Sequence, residues 1–438
     1  MTHRAPHALR RSIAFALAAC GALARGPGAA AQAAAAAEPA ARTGGAALAC
    51  APRNGGLALP PGFCAIVVAR ELGPVRHLAV APNGDVFANR RDRGVVALRD
   101  TTGDGTADVV RSFEGAGGTG IALTERFLYV SSDDAVFRYP WRDGQLVPEG
   151  APETVVRALP NAGDHNAKSI AVAPGGALYV NIGSATNSCQ TANRAPRAPG
   201  RDPCTELEAR AGVWRFDARR TGQTFRDGRR FATGLRNTVA LALRPGTDAL
   251  YGAVQGRDQL TQNWGYSAER GAENPGEELV RIEEGDDFGW PYCYFDVELR
   301  HLVLAPEYGG DGREVGRCAR AKEPLLAFPG HWAPLAIAFG SARQFGASYA
   351  DGAFVAFHGS WNREPLPQAG YRVVWVPFTG DRPSGEYATF ASGAAGPTSL
   401  RASGLAVGPD GSLYLASDAS GTIWRIVNAA AAGAREPS

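Results

Sequence analysis

One short phrase recurs six times along the chain and limits the fold more than any other feature. It reads LAVAPNGDVFAN from Leu78, IALTERFLYVSS from Ile121 and IAVAPGGALYVNIGS from Ile170. It returns as LALRPGTDALYGAVQ from Leu241, IAFGSARQFGASYADGAFVAFHGS from Ile337 and LAVGPDGSLYLASD from Leu405. Each copy is a short apolar strand, a turn rich in Pro, Gly or Asp, and a second apolar strand. Most copies continue into a third, alternating strand: GVVALRD, AVFRYPW, GVWRFDA, ELVRIEEG, YRVVWVPF and GTIWRIV. Short strands at recurring spacing, without a long amphipathic helix between them, point to small sheets repeated around an axis. The expected fold is all-β, a six-bladed β-propeller over residues 50–430. A β-sandwich or two stacked β domains also fit the pattern, because the spacing between the third, fourth and fifth copies is irregular. The extra residues there read as insertions on one face. Closing the ring removes exposed sheet edges, so CAIVVAR beside Cys64 is expected to pair with the last blade. Loops leading into the innermost strands would then converge at one end of a central channel.

Composition supports a globular chain of tight turns, with 55 glycines and 30 prolines in 438 residues. A net charge of +2 gives no reason to expect nucleic acid as a partner. Lys168 and Lys322 are the only lysines, and this Arg-for-Lys bias reads as codon usage more than function.

Residues 1–20 carry a basic start with Arg4, Arg10 and Arg11, then the apolar run SIAFALAA. The run is too short for a stable membrane span and has the form of a signal peptide. It ends in LAAC, a lipobox-like sequence that would place a lipid on Cys20. The competing reading is cleavage further on, within AAAQAAAAA. Residues 21–49 are rich in Ala and Gly and read as a disordered tether. Both readings make the protein periplasmic or secreted, with or without a membrane anchor at Cys20. Setting Cys20 aside leaves six cysteines, which an exported protein would oxidise. Nearest-neighbour pairing gives Cys50–Cys64, Cys189–Cys204 and Cys293–Cys318, one of about 15 possible connectivities. No C-x-x-C, H-E-x-x-H or C-x-x-C-H occurs, which disfavours zinc and a covalently attached haem.

Four stretches carry polar residues beside apolar strands: GDHNAKS (163–169), GLRNTVAL (234–241), GAENPGEELVRIEEGDDFGWPYC (271–293) and FHGSWNREP (357–365). Each belongs to a different proposed blade, and a ring would gather them on one face. Together with FPGHWAPLAIAF and ASGLAVGPDGSLYLASDASGTIWRI, in this order, they make the chain similar to the quinoprotein sugar dehydrogenases that use pyrroloquinoline quinone (PQQ). The L-sorbosone dehydrogenase-like branch, related to soluble glucose dehydrogenase, is the nearest in pattern. The resemblance runs from about Gly62 to Val427.

The resemblance implies a six-bladed propeller that oxidises a sugar or related alcohol or aldehyde with PQQ and calcium. His165 would be the general base, since a neutral imidazole can accept a hydroxyl proton near neutral pH. Outside this context a D-H pair at a strand lead-in simply caps a turn. Soluble glucose dehydrogenases place an Asp where this chain has Ser184, so the residue orienting His165 stays open between Ser184 and Asp164. Arg236 would supply positive charge beside the quinone and Asn237 a donor to its oxygen. Arg401 would pair a cofactor carboxylate. Trp361 would offer a ring face beside His358, with Asn362 and Arg363 as further cofactor contacts. Lys168 stands where the family more often has Arg, and is assigned a salt bridge or cofactor contact. Calcium would take backbone oxygens of Ala272 and Glu273, in the loop Ala272 to Glu278. The acidic run Glu283 to Asp287 reads instead as a solvated turn, and Phe288 argues against a second calcium pair. Electrons would pass to a separate cytochrome or quinone. Two rival functions share the scaffold: a calcium-dependent lactonase and a non-catalytic carbohydrate-binding propeller.

Overall fold

The computed structural model describes residues 48–113, 115, 117–340, 342–430 and 432. Cys20 and the leader and tether segments up to residue 47 lie outside the described residues.

Six sheets, antiparallel but for the short outermost strand Gln223–Thr224 of blade 2, form the blades of a propeller. Blade 1 runs outward through Val75–Val80, Val86–Arg90, Gly94–Arg99 and Val109–Phe113. Inner strands of the next four blades are Ile121–Leu123, Ile170–Val172, Ala240–Leu243 and Pro334–Phe339. Ala402–Val407 opens blade 6, which continues through Leu413–Ser417 and Thr422–Asn428. Its outer strand comes from the start of the domain: Phe63–Ala69 pairs with Thr422–Asn428, with Cys64 opposite Val427. The chain thus closes the ring as the sequence implies. Leu57–Ala58 adds an unforeseen strand to the outer edge of blade 5.

Each inner strand touches the inner strands of the blades on either side, all the way round. The first apolar residue of every repeated phrase (Leu78, Ile121, Ile170, Leu241, Ile337, Leu405) lines one central cavity of about 280 Å³. The phrase therefore repeats because six copies of one strand must face the same axis. Second strands such as Val86–Arg90 and Leu250–Val254 are buried along their whole length. They are covered by neighbouring blades on both faces, so they read as near-continuous apolar runs. Phe87, Tyr251 and Phe354 are fully buried between blades, each such side chain contributing roughly 1.5–3 kcal/mol. By contrast, the outer strand Val109–Phe113 is largely exposed.

Polar side chains, most of them at the ends of second strands, tie blade to blade around much of the ring. Asn89 Nδ2 donates to the carbonyls of Gly120 and Ser131 at 2.9 and 3.0 Å. Ser131 Oγ donates to Lys168 O at 2.5 Å, and Asn181 Oδ1 accepts from Thr238 N at 3.1 Å. Gln255 Nε2 reaches Pro334 O at 3.1 Å, and Ser403 Oγ returns to Val75 O at 2.8 Å. These bonds fix the lead-ins to the inner strands, where the candidate chemistry lies.

The three nearest-neighbour disulfides are all present: Cys50–Cys64, Cys189–Cys204 and Cys293–Cys318. The second staples the insertion after blade 3's second strand. The third braces a hairpin of Cys293–Asp296 and His301–Leu304 that lies outside the blade sheets. The insertion in blade 4 contains two short helices, Leu260–Trp264 and Ala268–Glu273.

Candidate active site

His165 enters blade 3 with its Nδ1 3.0 Å from Ser184 O and 2.9 Å from Ser184 Oγ. The Ser184 hydroxyl donates its one proton to Thr186 O at 2.6 Å. Both atoms facing Nδ1 are therefore acceptors, so Nδ1 carries the ring proton and Nε2 keeps a bare lone pair. Burial, then the charge of Arg236, push His165 down to about 3, against a smaller opposing pull from the Ser184 carbonyl. The ring is neutral at neutral pH, in the tautomer a base needs. Ser184 is thus the partner that orients it. Asp164 instead pairs with Arg194 at 3.0 Å. Gly183 leaves room for the ring: a Cβ there would lie 2.6 Å from His165 Cβ and 2.9 Å from Asn237 Oδ1.

The centre of the cluster is a residue absent from the sequence-based set. Asp258 Oδ2 accepts from Arg236 Nη2 and from Arg194 Nη1, both at 3.1 Å. Its Oδ1 accepts from Asn362 Nδ2 at 2.7 Å and lies 3.6 Å from His331 Nδ1. Burial alone would raise this carboxyl. Arg236, His331 and Arg194 outweigh it and hold Asp258 well below the usual carboxylate range. His331 responds in kind: burial opposes its charge, but Asp258 raises its affinity for a proton.

Arg236 is buried and fully engaged. It donates to Asn187 O at 3.0 Å, Asn187 Oδ1 at 2.9 Å, Gly256 O at 2.8 Å and Gln255 O at 3.4 Å, besides Asp258. It therefore acts on His165 through its field, with no donor left over for a cofactor oxygen. Asn237 donates Nδ2 to Gln255 Oε1 at 3.0 Å, and its Oδ1 is buried without a partner. The free group is an acceptor, where the sequence suggested a donor. Asn362 Oδ1 is likewise buried and unpartnered.

Arg363 faces the other way. Its guanidinium donates to the carbonyls of Ala272 and Gly330 and to Glu273 Oε1, and its Nε to Pro367 O. Glu273 O accepts from Gly330 N at 2.8 Å. The two carbonyls expected to hold calcium are thus already engaged, one of them by a cation that would repel a divalent ion. These residues do not fit a calcium site. Among the described residues no cluster of three or more His, Cys, Asp or Glu could hold a metal either. The acidic run is a turn, with Lys322 Nζ 2.9 Å from Glu283 and 2.7 Å from Asp286.

Lys168 is completely buried and donates to Asn166 O at 2.5 Å within its own lead-in. Burial, then Arg210, push it down to about 7. Arg401 lies over the ring of Tyr371, and its one hydrogen bond among the described residues is to Tyr371 Oη at 3.4 Å. Trp361 presents its ring to solvent, 65% exposed, between the anchored residues Ser360 and Asn362. His358 Nε2 lies 2.8 Å from Asp418 Oδ1, whose Oδ2 accepts from Arg76 Nη1 at 2.8 Å.

Arg236 and Asn362 thus meet through Asp258, whose charge also reaches His165; Arg363 staples the Ala272–Glu273 loop, and Lys168 is shut away. Asp418 had a readable signal: it falls just beyond the second strand of its repeat, as Ser184 does in VNIGS.

Comparison with known proteins agrees with this architecture. A PQQ-dependent pyranose dehydrogenase from Coprinopsis cinerea is 28% identical over 240 residues, 45% of this chain. That stretch is only 31% of the relative's own length. The PQQ domain of pyranose dehydrogenase from the same organism, in its holo form, superposes with a TM-score of 0.71 at 20% identity, covering 85% of this chain and 97% of that one. The calcium structure of a Trichoderma reesei enzyme of carbohydrate-active family AA12 gives 0.72 at 19% identity, covering 88% and 100%. These matches do not single out a sorbosone-like branch. The TrAA12-like family profile matches residues 57–429, nearly the whole propeller, and the chain belongs to that family.

Proposed function

We propose that this chain uses PQQ to oxidise a sugar, or a related alcohol or aldehyde, with His165 as the base. The observation that carries the reading is the pair of acceptors facing His165 Nδ1. Ser184 holds Nδ1 protonated, so Nε2 is free to take a hydroxyl proton. Arg236 beside it favours the neutral ring before the transfer, and Asp258 steadies the charge after it.

The residues present fit PQQ. Two buried acceptors, Asn237 Oδ1 and Asn362 Oδ1, and the buried Nε of Arg76 have no protein partner. Such atoms are costly unless something meets them. Arg401 has donors to spare for a planar carboxylate, and Trp361 has a free ring face. When bound, the quinone supplies the hydride acceptor. The protein residues place the substrate hydroxyl, keep Nε2 unprotonated and receive the proton there. Three disulfides support an exported enzyme that hands its electrons to a separate acceptor.

The test is to add PQQ to purified apo-protein, with and without calcium, and to follow both absorption and dye reduction across a sugar panel. Quinone uptake with sugar-dependent dye reduction is expected. An absorption spectrum unchanged by the quinone overturns the reading, and the calcium arm decides whether a metal is required.

A further inference from the structure

We infer that Asp258 is the positioning residue of this site, setting the tautomer of His165 through Arg236, Asn187 and Thr186. The inference rests on the reading of His165 as the base.

Asp258 belongs to the insertion of blade 4, and His165 to the lead-in of blade 3. Asn187 joins them. Its Oδ1 accepts from the Asp258 backbone N–H at 2.8 Å, and its Nδ2 donates to Asp258 O at 3.0 Å. Arg236, held by the Asp258 carboxylate, donates to both Asn187 O and Asn187 Oδ1. Asn187 is thus clamped from both sides, and Trp290 Nε1 adds a third bond to its carbonyl at 3.1 Å. The next residue back is Thr186, whose carbonyl takes the Ser184 proton. While Thr186 O stays in place, Ser184 Oγ can only accept from His165, and the ring proton stays on Nδ1. If Thr186 O moves away, the hydroxyl proton is free to turn toward the imidazole. It would then donate to Nδ1 in competition with the Ser184 carbonyl 3.0 Å away, and part of the population would carry the ring proton on Nε2, the atom that must be bare. Arg236 O also accepts from Ser184 N at 2.8 Å, so a shift of Arg236 reaches Ser184 directly as well.

The carboxylate has the right chemistry for this task. It is buried, meets two arginines and an amide, and sits close enough to His165 to oppose the field of Arg236. A neutral amide at this position would still accept one bond. Its NH₂ would turn toward a donor, and the guanidinium of Arg236 would lose its counter-charge.

The experiment compares wild type with Asp258→Asn and Asp258→Glu by long-range ¹⁵N–¹H spectra of the histidine rings, without cofactor. Wild type is expected to show His165 as a single Nδ1–H tautomer. Asp258→Asn should show a mixture, and Asp258→Glu, which keeps the charge, should recover the wild-type pattern. In the PQQ-loaded enzyme, Asp258→Asn should lose roughly ten- to a hundred-fold in kcat with KM nearly unchanged. If Asp258→Asn fails to fold, Asn187→Ser is the second variant. It removes the clamp and leaves every charge in place, and it should give the same mixture. A single Nδ1–H tautomer in the folded variants overturns the inference. If wild type takes up no quinone, the oxidation reading falls, while the ring spectra still decide what Asp258 does.

Discussion

The Nδ1 of His165 lies 2.9 Å from a hydroxyl, that of Ser184, which has no proton left to give. A carboxylate at this position would hold the ring more strongly and raise its affinity for a proton. The serine holds it by geometry alone, and the ring stays down at about 3. His165→Ala should therefore lower kcat by about 10²–10⁴-fold. Quinone uptake, measured by absorption, should not change. Ser184→Ala should cost far less, roughly three- to tenfold, because the Ser184 carbonyl still accepts from Nδ1. Equal losses in the two variants would show that the hydroxyl does more than orient.

The ring architecture was legible because it depends on short-range pattern. Leu78, Ile121, Ile170, Leu241, Ile337 and Leu405 begin six similar phrases and end on one cavity wall. The disulfides were legible for the same reason, since each joins neighbours in sequence. The site was legible only where it sits on the repeat, as with His165 and Ser184. Asp258, Asn187 and Arg194 lie in insertions, and their roles arise from side chains meeting across 71 and 64 residues. Nothing local marks such a meeting. The loop of Ala272 and Glu273 was hard to read for the converse reason. Backbone carbonyls look alike in any sequence, and only the positions of Arg363 and of the Gly330 N–H show that these are engaged.

Glu278 makes stability depend on pH in a predictable direction. Burial, then Glu323 and Glu277, push its carboxyl up to about 8 from an ordinary 4.5. The folded state then holds a proton that the unfolded chain releases. Stability is fully present below the unfolded value and is lost as pH rises through the folded one. Glutamine mimics the protonated form. Glu278→Gln should melt like wild type at about pH 5 and at a higher temperature than wild type at about pH 9. A melting difference that is the same at both pH values would rule out Glu278 as the source.

Trp361 is the exposed side chain whose removal should be felt by ligands and not by the fold. Its ring is 65% exposed, while Ser360 and Asn362 on either side are hydrogen-bonded in place. Trp361→Ala should change folding stability by no more than about 0.5 kcal/mol, as for other surface positions. Losing a stacking face should weaken quinone uptake about tenfold in an absorption titration. Unchanged uptake with a raised KM for sugar would move the ring from the cofactor to the substrate.

Two disulfides close loops of nearly equal length, with sequence separations of 14 for Cys50–Cys64 and 15 for Cys189–Cys204. Chain entropy alone gives each a similar contribution, about 3 kcal/mol. Their surroundings differ. Cys64 lies on the outer strand of blade 6, whereas the Cys189 N–H donates to Thr186 Oγ1 at 2.9 Å. Thr186 is the residue whose carbonyl fixes the Ser184 hydroxyl. Replacing either pair with alanines should therefore lower the melting temperature by a similar amount. Loss of the Cys189–Cys204 pair should in addition lower kcat, by roughly tenfold at temperatures where both variants are folded. Matching activity in the two would mean that the blade 3 insertion keeps Thr186 in place without its disulfide, and that the clamp on Asn187 is sufficient by itself.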